Sequence, residues 1–216
     1  MANIYPKVLL VEGKQDLLVI PDLIEANGIS WETPNGRIVE IREQGGYEKL
    51  ADPDVIATEL QASGLSVLGI MVDADDNPLA RWQSIRDACL RSIPDLPETL
   101  PEEGLIHTTS SGIRFGIWMM PDNKMRGMLE TFLAYMIPTT SEPLWQFAQE
   151  VVQEAKTQGA AFTDPHLAKA NIYTWLAWQD PPGRQLHQAI QERILNPCHP
   201  NAQKFVSWFK TLYNLT

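Results

Sequence analysis

Three carboxylates crowd the end of an apolar run: in GIMVDADDN, residues 69–77, Ile70, Met71 and Val72 lead into Asp73, Asp75 and Asp76. Like charges this close repel one another, so holding them ionised needs a cation, solvent or a hydrogen-bonding loop. A hard divalent cation is the chemistry such a group invites, because Mg²⁺ takes oxygen ligands and keeps several waters, so a few carboxylates suffice. Residues two apart in an extended segment face the same way, which lets Asp73 and Asp75 share one ion while Asp76 points elsewhere or caps the next helix. The plainer account is a solvated strand-to-helix turn with Asp76 or Asn77 as the cap.

A further acid, Glu12, ends the apolar run KVLLV at Lys7 to Val11, 61 positions before Asp73. The two meet only if both runs are neighbouring strands of a parallel sheet, whose carboxyl edge forms the crevice where active residues gather. Glu12 and Asp16 also suit a helix N-terminus through its dipole, and Asp16 is given a supporting role.

Those acids need an α/β frame. In the first half, short apolar runs alternate with helical patterns, the signature of βα units. KVLLV is a strand, DLLVIPDLIEANG a helix ending at Gly28, and RIVEIRE, Arg37 to Glu43, a strand. DPDVIATELQASG is a helix with an Asp cap and Pro in its first turn, stopping at Gly64. SVLGIMV is the buried strand that delivers Asp73, and a helix covers roughly Leu79 to Ser92. SIPDLPETLPEEG is a loop. LIHTTSSGIRFGIWMMPDN gives two strands about the Ser-Ser-Gly turn at 110–112, a hairpin extending the sheet. From Met125 the pattern is helical: RGMLETFLAYMI, EPLWQFAQEVVQEAKTQG, DPHLAKANIYTWLAWQ, RQLHQAIQERI and a last aromatic helix around FVSWFKTLY. The expectation is one domain over 1–216, with an α/β sheet core at 1–124 and a mainly helical extension at 125–216 packed on it.

The 216 residues, 44% hydrophobic, are enough to bury a sizeable core. No run of eighteen apolar residues occurs, and the start lacks a signal peptide's pattern because its apolar run breaks at Glu12, so a cytoplasmic protein with no membrane partner is expected. Cys89 and Cys198 are too few and too far apart for a zinc site or disulfide framework. With 17 Lys+Arg against 27 Asp+Glu, the net charge of −10 opposes the phosphate attraction of most nucleic-acid binders. A nucleic-acid partner therefore needs a local basic patch or bridging metal ions.

VEGKQD and IMVDADD resemble the two signature elements of the TOPRIM domain, a glutamate after its first strand and an Asp-x-Asp pair after a later one. GIWMMPDNKMRGMLETF and AKANIYTWLAWQDPPG resemble a bacterial, cyanobacterial-type family of unknown function. Its TOPRIM-like domain is related to that of the overcoming-lysogenisation-defect (OLD) nucleases. Together these segments span about residues 7–184. The resemblance implies a TOPRIM-like, Rossmann-like fold: a mostly parallel sheet flanked by helices, with a helical C-terminal extension. It also implies Mg²⁺, or Mn²⁺ in its place, held at Glu12, Asp73 and Asp75 and acting on phosphodiesters. Glu130 in GMLE then stands near a second metal, and Lys169 in LAKA stabilises phosphate charge; as plain helix residues both are merely solvated. In two-metal chemistry one ion activates water and the other steadies the leaving oxygen. Glu12 acting as general acid or base is the alternative the motif offers. No GxxxxGK[ST] sequence occurs, so the ATPase element of the OLD type is not among these residues, and no tyrosine sits in a nucleophile motif.

The remaining candidates have ordinary explanations. His107, His166, His187 and His199 lack ligand spacing. Trp118, Met119, Met120 and TWLAW read as core rather than stacking platforms. Arg114, Lys124 and Arg126 are candidates for phosphate contact, and Asp122 either joins the site or makes the turn. The expected function is metal-dependent phosphoryl transfer or nuclease-like hydrolysis, on nucleic acid or a nucleotide. The rival is a non-catalytic TOPRIM-like module binding a nucleotide, nucleic acid or protein partner. A third option, an aspartyl-phosphate phosphatase, draws on a partial match of DADDN to DxDx[TV]; Asp76 and Asn77 fit it poorly, and it leaves Glu12 without a role.

Overall fold

The computed structural model describes residues 5–34 and 36–215. Strand β1 (Lys7–Val11) leads into helix α1 (Lys14–Ala26), which continues through Pro21. A two-stranded ribbon of β2 (Glu32–Thr33) and β3 (Gly36–Arg37) precedes β4 (Glu40–Glu43). The single strand expected over Arg37 to Glu43 is thus divided. Arg37 pairs back with Glu32 in the ribbon, the Ile38 amide donates to the Trp31 carbonyl at 3.0 Å, and only Glu40 onward joins the main sheet.

Helices α2 (Tyr47–Leu50) and α3 (Pro53–Leu60) follow; Asp52 caps α3 by accepting from the Asp54 amide at 2.8 Å. Next come β5 (Val67–Asp73) and α4 (Pro78–Leu90). The segment expected as a loop contains no helix or strand, and α4 anchors it: Trp82 Nε1 donates to the Glu98 carbonyl at 2.8 Å and Arg86 Nε to that of Pro97 at 2.7 Å. Strands β6 (Leu105–Thr108) and β7 (Arg114–Met120) form the expected antiparallel hairpin, with Gly112 at φ +84° in the turn.

The main sheet runs β4-β1-β5-β7-β6, parallel except for β6. Its central strands are covered on both faces, which is why they read as unbroken apolar runs rather than alternating ones. On one face Leu9, Val11, Met71, Trp118 and Met120 pack under α1 and the C-terminal helices. On the other, Val8, Leu10, Ile70, Val72, Phe115 and Ile117 pack with α3, α4 and Leu96.

Helices α5 (Leu129–Ala134), α6 (Glu142–Thr157), α7 (Leu167–Ala177), α8 (Leu186–Gln191) and α9 (Pro200–Tyr213) complete the chain. α8 packs on α1, and α9 lies on β5 and β7. Two glycines allow that approach: a Cβ on Gly69 would run into Tyr213 Oη, and one on Gly116 would come within 2.7 Å of Leu212. Trp118 and Trp175 are core residues, as expected of their segments, but Trp178 is partly exposed and stacks on Phe147 with ring centroids 5.6 Å apart. No described helix is long and apolar enough to cross a membrane.

Candidate functional site

β1 and β5 are hydrogen-bonded parallel neighbours, so the residues that follow them emerge side by side at the carboxyl edge. Glu12 and Asp73 meet there: the Asp73 amide donates to Glu12 Oε1 at 2.8 Å. Asp73 Oδ1 in turn accepts from the Leu129 amide at 3.0 Å, which fixes the start of α5 against the end of β5. Glu130, the next residue, is thereby carried to the same edge, where it is buried and pairs with Lys169 Nζ of α7 at 3.3 Å. Lys169 is half exposed.

Asp16 belongs to this cluster more fully than its supporting role implied. It is buried in the first turn of α1 and accepts from the Gly13 amide at 3.0 Å. Burial pushes its carboxyl up to about 7 against the pull of the Gly13 amide, and the charges of Glu12 and Glu130 add to the rise. Asp73 is raised well above the usual carboxylate range, first by burial and then by Glu12, Asp16, Glu130 and Asp75. Burial also raises Glu12, with the Asp73 amide and Arg81 opposing and Asp75 adding.

Asp75 departs from the sequence expectation. β5 ends at Asp73, and Asp75 sits at φ +49° in the left-handed region, so the extended alternation that would have aimed both aspartates at one ion does not continue. An antiparallel bridge fixes the turn: the Asp75 amide donates to the Gly127 carbonyl at 2.9 Å, and the Gly127 amide donates back at 2.8 Å. The same bridge explains why α5 starts at Leu129 rather than nearer Arg126. The Asp75 carboxylate is ion-paired with Arg81 of α4. Asp76 is exposed, and Asn77 provides the cap of α4, accepting from the Ala80 amide at 3.1 Å.

The other candidates scatter. Arg114 opens β7, opposite Val67, at the far end of the sheet from Asp73, roughly 20 Å away at the rise of a strand. Lys124 pairs with Glu102 at 2.5 Å. Asp122 makes the turn, accepting from the Met125 amide at 2.8 Å and from Tyr135 Oη at 3.2 Å. Arg126 lines a cavity of about 550 Å³ together with Asp75, Asp76 and Asp164. His107 faces Asp95, and His199 caps α9. Cys89, a free buried thiol, is pushed up to about 12 by burial, while Cys198 is free and exposed.

Residues 6–214 match the model of a family described as "Protein of unknown function (DUF3226)". The chain belongs to that family. No functionally curated protein matches it. Among solved structures, the C-terminal region of the Burkholderia pseudomallei OLD protein is similar at 12% identity and TM-score 0.50, covering 98% of this chain and 100% of that one. The C-terminal region of the Xanthomonas campestris pv. campestris OLD protein is similar at 17% identity and TM-score 0.49, covering 97% of each chain. The Burkholderia likeness concerns the fold: a mostly parallel sheet flanked by helices, with helices at the C-terminal end, as this family member has.

The sequence reading missed Arg81. Its only signal is a cation on α4 six positions beyond Asp75. The cluster offers oxygen donors alone, which suits a hard cation in chemistry. Its present arrangement is not a formed cage: among the described residues no three of His, Cys, Asp and Glu are placed to hold a metal ion.

Proposed function

We propose that the carboxyl edge of β1 and β5 is a TOPRIM-like, Mg²⁺-dependent site acting on phosphodiesters by nuclease-like phosphoryl transfer, with Mn²⁺ able to replace Mg²⁺. The observation that carries this reading is the convergence of Glu12, Asp16, Asp73 and Glu130 at one sheet edge, with Asp16 and Glu130 buried and Glu12 and Asp73 partly so. Glu12, Asp16 and Glu130 all raise the pKa of Asp73, and Glu12 and Glu130 that of Asp16, an arrangement that works against stability and is therefore a mark of a functional site. A divalent cation held there would relieve the repulsion.

Glu12 and Asp73 are the residues that would hold the ion, joined by Asp75 once it leaves Arg81; Glu130 would serve a second ion. The bound ion supplies charge neutralisation at phosphate and a lowered pKa for a coordinated water. The chain's own groups do the rest. Glu12, whose carboxyl burial raises, is the general acid or base in the alternative to its role as an ion ligand. Lys169, half exposed and paired with Glu130, is the residue we assign to a phosphate oxygen. The resemblance of VEGKQD and IMVDADD to TOPRIM elements supports the assignment, and the fold similarity supports the frame.

Hydrolysis of a chromogenic phosphodiester and of a labelled oligonucleotide, with Mg²⁺ or Mn²⁺, tests the reading. Wild type should turn over, and Asp73→Asn should lose at least about 10²-fold while keeping its fold. Metal-dependent turnover unchanged in Asp73→Asn removes the site. The unformed metal cage and the net charge of −10 favour one second reading: a module that binds nucleotide, nucleic acid or a protein partner without turnover. In that case Asp73→Asn alters binding and no hydrolysis is found in wild type.

A further inference from the structure

Arg81 stands where no sequence motif placed a functional residue. Its guanidinium is paired with the Asp75 carboxylate and lies 3.5 Å from the centre of the Tyr47 ring, so one face is stacked and one edge is engaged. Its side chain is only 15% exposed, whereas that of Asp75 is 46% exposed. The buried member of the pair is therefore fixed and the open member is the one able to move. Arg81 also acts on Glu12, whose carboxyl it pulls downward. Tyr47 Oη, buried in the same stack, has no hydrogen-bond partner among the described residues.

A guanidinium carries five N–H donors in a planar fork that matches a phosphate as well as a carboxylate. Stacking on Tyr47 holds the plane of that fork without using the donors. Among the described residues, Asp75 alone occupies the engaged edge. An arriving phosphate and the Asp75 carboxylate are competing ligands for one cation, and a carboxylate released from Arg81 becomes available to a metal.

Building on the metal-site reading above, we propose that Arg81 is a phosphate-binding residue of this site, beside Lys169, and its latch. Without phosphate it holds Asp75 out of the metal set; with phosphate bound, it gives Asp75 up, so phosphate and divalent cation bind cooperatively. This accounts for a crevice rich in carboxylates in which no metal-holding trio stands ready. Asp75 lines a cavity of about 550 Å³, which gives the released carboxylate room to move.

Calorimetry on the full chain tests this with Mg²⁺ and inorganic phosphate as probes. In wild type, saturating phosphate should raise Mg²⁺ affinity about tenfold, and Mg²⁺ should raise phosphate affinity by the same factor, since the coupling is reciprocal. Arg81→Met should bind Mg²⁺ alone more tightly than wild type and show less than about twofold coupling. Asp75→Asn, which frees Arg81 without removing it, should bind phosphate alone more tightly than wild type; this readout survives even if Arg81→Met folds poorly. If Mg²⁺ binds wild type tightly without phosphate and Arg81→Met changes nothing, the latch is wrong and the metal site stands. If neither protein binds Mg²⁺ with or without phosphate, the metal-site reading fails and the latch with it.

Discussion

The Asp73 amide donates to Glu12 Oε1 at 2.8 Å, tying the last residue of β5 to the residue just beyond the end of its parallel neighbour β1. One side chain thus has two separable roles, a neutral acceptor for a backbone N–H and a carrier of negative charge. Glu12→Gln keeps the acceptor and removes the charge, so its melting temperature should equal or exceed wild type in EDTA. Glu12→Ala leaves the Asp73 amide without its partner and should destabilise by about 1–3 kcal/mol. Equal melting temperatures for the two variants would mean the bond contributes nothing.

Asp73 carries the heaviest electrostatic load. Asp73→Asn retains an oxygen for the Leu129 amide and removes the buried acid that four other carboxyls repel. In EDTA at neutral pH it should gain about 1–2 kcal/mol, read as a rise of several degrees in Tm. A fall in Tm would contradict the repulsion described for the crevice.

Acid should stabilise the metal-free protein. The Asp16 carboxyl keeps its proton in the folded chain up to about 7, while an unfolded Asp releases it near its ordinary value of 3.8. Between these pH values the unfolded state binds fewer protons, so the stability held at low pH is lost as pH rises through about 7. For Asp16 alone the limit is on the order of 4 kcal/mol. Urea unfolding in EDTA at pH 5.5 and 8 should show the higher midpoint at pH 5.5, and Asp16→Asn should flatten the difference. A midpoint independent of pH in wild type would refute this.

Gly69 is a matter of space. It faces the buried Tyr213, whose hydroxyl donates to the Val8 carbonyl at 2.8 Å, and an added methyl group has nowhere to go. Gly69→Ala should cost about 1–3 kcal/mol, measured by chemical denaturation, with α9 pushed off β5. A variant as stable as wild type would show that α9 sits loosely on the sheet.

Much of the frame could be read from residue types alone. KVLLV, SVLGIMV and FGIWMM are legible as strands because they are apolar on both faces, and Glu12 and Asp73 were expected to meet if their strands paired. What stayed hidden depends on contacts between segments distant in sequence. The bridge from Asp75 to Gly127 turns the second aspartate into a left-handed conformation, shortens α5 and leaves Asp75 to Arg81, none of which alternation along one strand can reveal. The Leu129 amide that braces Asp73 belongs to a helix 56 positions away. Asp16 looked like an ordinary residue of a helix's first turn until burial by neighbouring elements put it among the acids. Arg37 lies outside the main sheet because it pairs with Glu32 in the ribbon.

The central claim is that Glu12 and Asp73 form the heart of a divalent-cation site, and the most direct measurement is a Mn²⁺ titration followed by electron paramagnetic resonance. It should be run with saturating inorganic phosphate on wild type and on the Glu12→Gln, Asp73→Asn double variant, both checked for folding by circular dichroism. The account predicts a saturable class of bound Mn²⁺ in wild type that disappears in the folded double variant. Mn²⁺ binding equally to both, or to neither, would contradict it.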